Sequence, residues 1–494
     1  MRETVTFVYP PDGAVDPKAF HVQPAGLLGP AADVVRQDRL TVGLDQLPPD
    51  IASLLQGYHA LHLTWTSPHA YDTLEPFSSR QSPGLRVFLT PSAKRAHDPV
   101  KLCEMLQIMG PLDCMTTEAW TAAHTTERGV WGPLSFYQQL EHLSASVESA
   151  TRDLCPDTDS ICQSRLRTLY TAASLDLSYS STDRALWISA FWPLREHSIT
   201  VLVLPGRQTE VGIFTKDSAP NLGPYGVGLH GILNVLEDQK EPSPALFIFR
   251  SRHKLYNASF ASEFLRPIGV HPTLQFKLST NKPPVQDAEC APYAYLTLPK
   301  TMFANRYHFE DKIFLASKNL SASRYTTLPV ELEAPEYNIK TWGSNVLLQL
   351  APPISSDEQI WTAQVPLHLR YLKPRASGYT QVEVPYPVVF WACQPGGDED
   401  PASNPFDRRH LGYDELFSPG TIFWHVSPKP EVGNRVMSSI TVPVLREDSA
   451  AWVRLGTTAA MVLGCAWVIW NLLVALTAPA QQDPKRKEAR HRVK

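Results

Sequence analysis

Two short acidic patterns carry the residue types of metal-assisted glycosyl transfer. Asp157-Thr158-Asp159 and Asp398-Glu399-Asp400 each place carboxylates two residues apart, the spacing with which many glycosyltransferases hold a metal and a nucleotide-sugar. The pattern is only three residues long, and both copies lie in polar, turn-like sequence where solvated carboxylates are the default. A third cluster, His308, Glu310 and Asp311, falls in the run RYHFED. On a strand, His308 and Glu310 would share a face. Two residues fall short of a metal site and no partner motif accompanies them, so the sequence predicts a cross-strand surface ion pair. His368 and Arg370 lie on the polar face of another predicted strand and read as solvated or paired. The patterns G-x-S-x-G, P-loop and H-E-x-x-H do not occur. No catalytic, metal or cofactor residue is therefore assigned, and the balance moves toward a scaffold, adaptor or stabilising subunit.

The elements that would position these residues are mostly strands. The chain has 494 residues, enough for two or three domains, and 43% of them are hydrophobic against 19% charged, so most of it should fold. A net charge of -4 gives no reason to expect nucleic-acid binding. Forty-four scattered prolines favour short strands and turns over long helical bundles. Residues 5–9 and 85–89 read as strands. Residues 100–175 are the most helical part, with apolar spacings of three and four in 135–147 and 161–173. Strand-like runs return at 185–191, 199–204, 210–214 and 245–250. The clearest strand is 361–371, where Trp361, Ala363, Val365, Leu367, Leu369 and Tyr371 alternate with Thr362, Gln364, His368 and Arg370. Residues 380–386 alternate too, and 329–333 and 345–350 are shorter strands of the same kind. The economical fold is mainly β, an antiparallel sandwich-like body with some helix in the N-terminal half. Residues 394–412 read as a surface loop, and Trp342, Trp361, Trp391 and Trp424 as core or interface.

Residues 455–476 form a run of 22 without a formal charge. A helix of that length crosses a hydrocarbon core of roughly 30 Å, so the fold ends in one transmembrane helix. Lys485, Arg486, Lys487, Arg490, Arg492 and Lys494 follow it, while Arg446, Arg454, Glu447 and Asp448 precede it. The positive-inside rule puts the basic tail in the cytosol and the bulk in a lumen or outside. The N-terminus holds no apolar stretch long enough for a conventional signal peptide, so a tail-anchored cytosolic adaptor is a competing layout. Cys103, Cys114, Cys155, Cys162, Cys290 and Cys393 precede the helix, an even number that fits an oxidising compartment. Short separations make Cys103–Cys114 and Cys155–Cys162 geometrically possible, and Cys290–Cys393 would then join the third pair. Asn257 and Asn319 each open a glycosylation sequon. Asn471, inside the apolar run, could hydrogen-bond to another helix or reach headgroups at the boundary.

The β-rich half and the anchor together resemble a known family. The run Leu298-Pro299, then Asn305-Arg306-Tyr307, resembles the opening of the conserved region of the PIG-X family, whose fungal branch is called protease B nonderepressible. Further matches are Pro366-Leu367-His368-Leu369-Arg370-Tyr371, Pro374, Gly378-Tyr379 and Pro385-Tyr386-Pro387, leading to Val389-Phe390-Trp391-Ala392-Cys393. The resemblance covers roughly residues 290–480. It implies an endoplasmic reticulum subunit of the first glycosylphosphatidylinositol (GPI) mannosyltransferase, which uses dolichyl-phosphate mannose. The multi-span partner carries the chemistry and this subunit stabilises it, with a linked role in folding other ER proteins. It implies no cofactor. The expected layout is an N-terminal mixed α/β lumenal region over 1–250, a β-rich lumenal domain over 265–445, the membrane helix over 455–476 and a basic cytosolic tail over 477–494. Contacts are expected with the partner and with ER lipids. A membrane-bound glycosyltransferase acting itself is the competing activity.

Overall fold

A computed structural model of the chain describes residues 1–11, 13, 15–92, 98–122, 133–156, 158–204, 206–217, 223–236, 238, 241–266, 269–327, 331–353, 360–395 and 404–477. Asp157, residues 398–400 and the basic tail lie outside them. Residues Met1–Tyr371 with Val382–Ile440 make one compact unit, and Leu372–Gln381 with Thr441–Lys494 make a second.

The first unit is built on two large sheets, and the change from one to the other falls between Arg250 and His253. The 12-stranded sheet runs, in spatial order, Ser243–Arg250, Gly226–Val235, Gln208–Asp217, Arg2–Tyr9, Gly26–Gly43, Ala185–Leu202, Ser174–Ser180, Tyr58–Thr66, Gly84–Pro91, Leu134–Gln138 and Thr121–Ala122, with His21–Gln23 paired to Gly26–Gly43. The 8-stranded sheet runs Leu320–Thr326, Asn345–Leu350, Glu289–Thr297, Val388–Gln394, Ile422–Pro428, His253–Phe264, Thr273–Leu278 and Trp361–Pro366. The chain is thus mainly β with helices in its first half, as its composition implies. The sheets are mixed, however. Arg2–Tyr9 pairs in parallel with Gln208–Asp217, and His253–Phe264 with Ile422–Pro428. These pairings join segments far apart in sequence, so no hairpin signal announces them.

Local chemistry explains the irregularities. The two longest strands, Gly26–Gly43 and Ala185–Leu202, shift register between Leu28 and Ala31 and between Val34 and Arg36. Pro30 lies in the first shift, and Pro193 faces the second; neither has an N–H for the ladder. The Arg2–Tyr9 strand is covered on both faces. Val5 and Phe7 enter one cluster with Ile199, Val211 and Ile213, whereas Val8 enters another with Phe191 and Phe214. A simple two-sheet sandwich would leave one of those faces polar.

Three expected elements differ. Residues 135–147 are not one helix: Leu134–Gln138 is a strand, and the helix Ser144–Leu154 begins after it. Phe136 and Tyr137, on opposite faces of this strand, are each 2% exposed because both pack into the hydrophobic core. Neighbouring apolar residues then mimic helical spacing. The strand expected over 361–371 stops at Pro366, and His368–Leu369 pairs instead with Met302–Phe303. The alternation inverts there: Arg370 is 6% exposed and Tyr371 75%. Of the strand expected over 329–333, residues 331–333 are irregular and 329–330 lie outside the described residues.

Three disulfides stand in this unit. Cys103–Cys114 ties the helix Pro99–Leu106 to the segment after it, and Cys155–Cys162 joins the ends of two helices. Cys290 and Cys393 face each other across adjacent antiparallel strands with Cα atoms 4.1 Å apart.

The second unit contains the helix Glu447–Thr477, 31 residues long and apolar enough to cross a membrane. Its large side chains are exposed, Trp452, Trp467 and Trp470 by 75%, 69% and 64%. The Asn471 side-chain amide donates to the Trp467 carbonyl at 2.8 Å, so its N–H is met inside its own helix.

Candidate functional site: a histidine cluster beside an aromatic cavity

The residues singled out at 308 and 368 meet in space. Pro366 ends its strand, and the chain then threads between two neighbours. Leu367 and Leu369 N–H groups donate to the Pro272 and Val270 carbonyls at 2.9 Å, and Arg370 N–H to the Thr301 carbonyl at 2.9 Å. That course sets His368 opposite Phe303 and beside His271. His308 stands not on a strand but in a 3-10 turn, His308–Glu310, closed by its N–H to the Asn305 carbonyl at 3.1 Å. Asp311 caps the next helix, Lys312–Ala316, accepting from the Ile313 and Phe314 N–H groups at 2.9 and 3.2 Å. The expected cross-strand pairing of His308 with a carboxylate gives way to histidine contacts.

His368 Nδ1 lies 3.0 Å from His271 Nδ1, and its Nε2 lies 3.5 Å from His308 Nδ1. In the neutral state one ring of the closer pair donates and the other accepts, which fixes their tautomers relative to each other. The His368 ring stacks on Phe303 at 5.1 Å between centroids. Burial, followed by the neighbouring His271 and His308, lowers His368 to about 4. It is therefore neutral near pH 7 and suited to hydrogen bonding. His368 uses a different nitrogen toward each neighbour, so the three rings do not converge on one point. Among the described residues no group of three or more histidine, cysteine or acidic side chains is placed to hold a metal ion.

Arg370 continues the row inward. Its guanidinium lies 4.6 Å from the Phe303 ring centroid, and Nη1 donates to the Ala334 carbonyl at 2.8 Å. Its Nε is buried with no partner among the described residues. Burial lowers the Arg370 pKa and Glu331 opposes that shift. Arg370 and Phe303 line a cavity of about 570 Å³ with Trp120, Ile339 and Trp342. Large side chains within five residues of the cluster in sequence stand exposed: Val270 by 56%, Tyr307 by 54%, Ile313 by 84% and Tyr371 by 75%. The ensemble offers stacking, neutral hydrogen bonding and apolar area, which suits recognition of a partner surface.

The remaining sequence-singled residues have local roles. Asp159 caps the helix Ser160–Arg167, accepting from the Cys162 N–H at 2.9 Å. Its partner Asp157 and the triplet at 398–400 lie outside the described residues. Asn257 is exposed where its strand shifts register. Asn319, at φ 54°, donates its side-chain amide to the Thr362 carbonyl at 2.7 Å. Trp342, Trp361 and Trp391 are core residues at 7%, 4% and 3% exposure. His271 escaped sequence reading, since a lone histidine before a proline carries no pattern.

The sequence profile of the PIG-X / PBN1 family matches residues 267–473, a span holding all three histidines, Arg370 and most of the apolar helix. The chain is 49% identical to Protein PBN1 of Gibberella zeae over 99% of both chains. It is 41% identical to Protein pbn1 of Neurospora crassa, covering 99% of this chain and 98% of that one. It is 35% identical to Protein pbn1 of Aspergillus fumigatus over 96% of both. Identity at this level along the whole length includes residues 1–250, where no motif was legible. This chain belongs to the PIG-X / PBN1 family, proteins of GPI-anchor biosynthesis.

Proposed function

We propose that the protein is the non-catalytic stabilising subunit of the ER complex that transfers the first mannose from dolichyl-phosphate mannose to the GPI precursor. The observation that carries this reading is full-length similarity to the PBN1 relatives, joined to a β-built body and one C-terminal apolar helix. The three disulfides favour a lumenal position for the bulk over a cytosolic one. In this layout residues 1–250 and 265–445 are lumenal, the helix over 455–476 spans the bilayer and 477–494 are cytosolic. The multi-span catalytic subunit docks on the surface around His271, His308 and His368. Val270, Tyr307, Ile313 and Tyr371 supply exposed area there. Asn257 and Asn319 are the glycan acceptors, and Asn471 has its side-chain oxygen left for an intramembrane contact.

Depletion tests the reading. The catalytic subunit is expected to fall in amount and GPI mannosylation to fail with it, while Asp157→Ala and Asp159→Ala leave turnover intact. Loss of turnover in a fully assembled complex carrying those substitutions would overturn it in favour of catalysis by this chain.

A further inference from the structure

A second cavity, of about 280 Å³, opens on the 12-stranded sheet beneath residues 404–409. Arg39, Arg408 and Arg409 line it together with the carboxylates of Asp176 and Asp407. The three cations are not equally compensated. Arg408 Nε bonds both Asp176 oxygens at 3.1 and 3.0 Å, and Arg409 Nη1 reaches Asp183 at 3.2 Å. Arg39 meets only neutral acceptors, the Pro405 carbonyl at 2.7 Å and Gln37 Oε1 at 3.3 Å, and has no salt bridge among the described residues. The Arg408 side chain is only 10% exposed, and its Nη2 is buried without a hydrogen-bond partner.

The carboxylates do not close this account. Asp176 is held by Arg408. Burial raises the Asp407 carboxyl to about 7, against the opposing bond from Asn404, so it is partly protonated at neutral pH. The cavity therefore keeps positive charge and unmade donor capacity in a low-dielectric place, where both are costly. An oxyanion would relieve both, because a guanidinium fork matches phosphate oxygens in pairs. The rest of the lining fits a hydroxylated body. Ser189 contributes a hydroxyl, the Ser178 hydroxyl, paired with His62 Nδ1 at 2.8 Å, keeps acceptor capacity, and Trp187 forms a wall whose ring lies 3.8 Å from the Arg409 guanidinium. The volume, near the lower end for ligand sites, admits a group the size of a sugar phosphate.

We propose that this cavity binds a phosphate ester of a sugar or polyol, with Arg39 and Arg408 Nη2 on the phosphate and the serines toward hydroxyls. The source is either a soluble ester or a lipid headgroup, and the phosphorylated polyol is common to both. The site lies apart from the histidine cluster and does not depend on the docking role given to that surface.

Calorimetric titration of the full chain in detergent tests it with four probes: glucose 1-phosphate, short-chain phosphatidylinositol, inorganic phosphate and glucose. At least one phosphorylated polyol is expected to bind more tightly than inorganic phosphate. Glucose is expected to give no heat. Arg39→Met should weaken the bound ester by about tenfold or more, the loss of one charge-assisted bond, and Arg39→Lys should retain part of it. Binding of glucose 1-phosphate alone identifies a soluble source, and of phosphatidylinositol alone a lipid source; each supports the site. If Arg39→Met fails to fold, Arg39→Gln, which keeps a polar side chain beside the Pro405 carbonyl, is read in its place, with a weakening in the same direction. No binding of either ester, or binding unchanged by the substitution that folds, overturns the proposal.

Discussion

Glu75 is the most informative single residue for how the first unit holds together. Its carboxylate lies 2.8 Å from Lys216 Nζ and 3.2 Å from Lys254 Nζ. The Glu75 and Lys254 side chains are only 6% and 4% exposed. Lys254 starts from the 8-stranded sheet, yet its ammonium also donates to the Gly226 carbonyl at 3.0 Å, and Gly226 and Lys216 belong to the 12-stranded sheet. Burial pushes the Lys254 ammonium pKa down, and Glu75 is the main influence opposing it. Glu75→Leu would strand that ammonium. Breaking a buried pair by removing one partner costs roughly 3–5 kcal/mol, whereas replacing both with apolar groups is often near neutral. The expected result is a strong loss for Glu75→Leu and recovery of most of it in Glu75→Leu with Lys254→Met. At roughly 2 °C per kcal/mol, the low end suited to a large body, the single variant should melt about 6–10 °C lower. The assay is thermal unfolding of the full chain in detergent. A single variant within about 1 kcal/mol of the parent, the usual range for an exposed pair, would show that Glu75 does not hold a buried charge in place. So would a double variant less stable than the single one.

Acidification should destabilise the fold below about pH 6.5. His253 Nδ1 lies 3.0 Å from His425 Nε2, and burial first, then Arg252 and Arg408, lowers His253 to about 3. The unfolded chain takes up this proton at a higher pH than the folded one, so the stability is present above pH 6.5 and is lost as pH falls toward 3. The loss from His253 at pH 4.5 is on the order of 3 kcal/mol, and denaturant midpoints against pH should flatten in His253→Leu with His425→Leu. Cys290→Ala with Cys393→Ala opens a loop with a sequence separation of 103, which chain entropy values at about 4.7 kcal/mol; pulse proteolysis reads the change. Asn319→Gln should lower stability by about 1 kcal/mol even in unglycosylated protein, by loss of its bond to Thr362. Asn257→Gln should leave stability unchanged and remove one endoglycosidase-sensitive step on a gel.

What could be read from the sequence followed local periodicity. The strands at 5–9, 85–89 and 345–350, and the apolar run over 455–476, carry their signals in consecutive residues. The failures have a common cause. Phe136 and Tyr137 are buried on opposite faces of a doubly covered strand, so their spacing no longer reports strand geometry. The period-two pattern of 361–371 continues past Pro366, although the chain changes partners there and exchanges the surroundings of Arg370 and Tyr371. Parallel pairings joining residues 2 to 208 and 253 to 423 leave no short-range trace. The same holds at the site. His308 and His368 were visible as types, but their meeting with His271 depends on a crossing 97 residues apart in sequence. Asp159 shows the reverse case: its apparent chemistry is absorbed by a helix cap.

On the function proposed above, this chain holds a membrane-embedded mannosyltransferase. Copurification from solubilised ER membranes tests it most directly, with mannosyl transfer from dolichyl-phosphate mannose measured on each fraction. A multi-span partner should copurify with the parent chain and be lost or much reduced with His368→Ala and Tyr371→Ala together, with turnover following the partner. Transfer activity in fractions that contain this chain but no multi-span protein would contradict it.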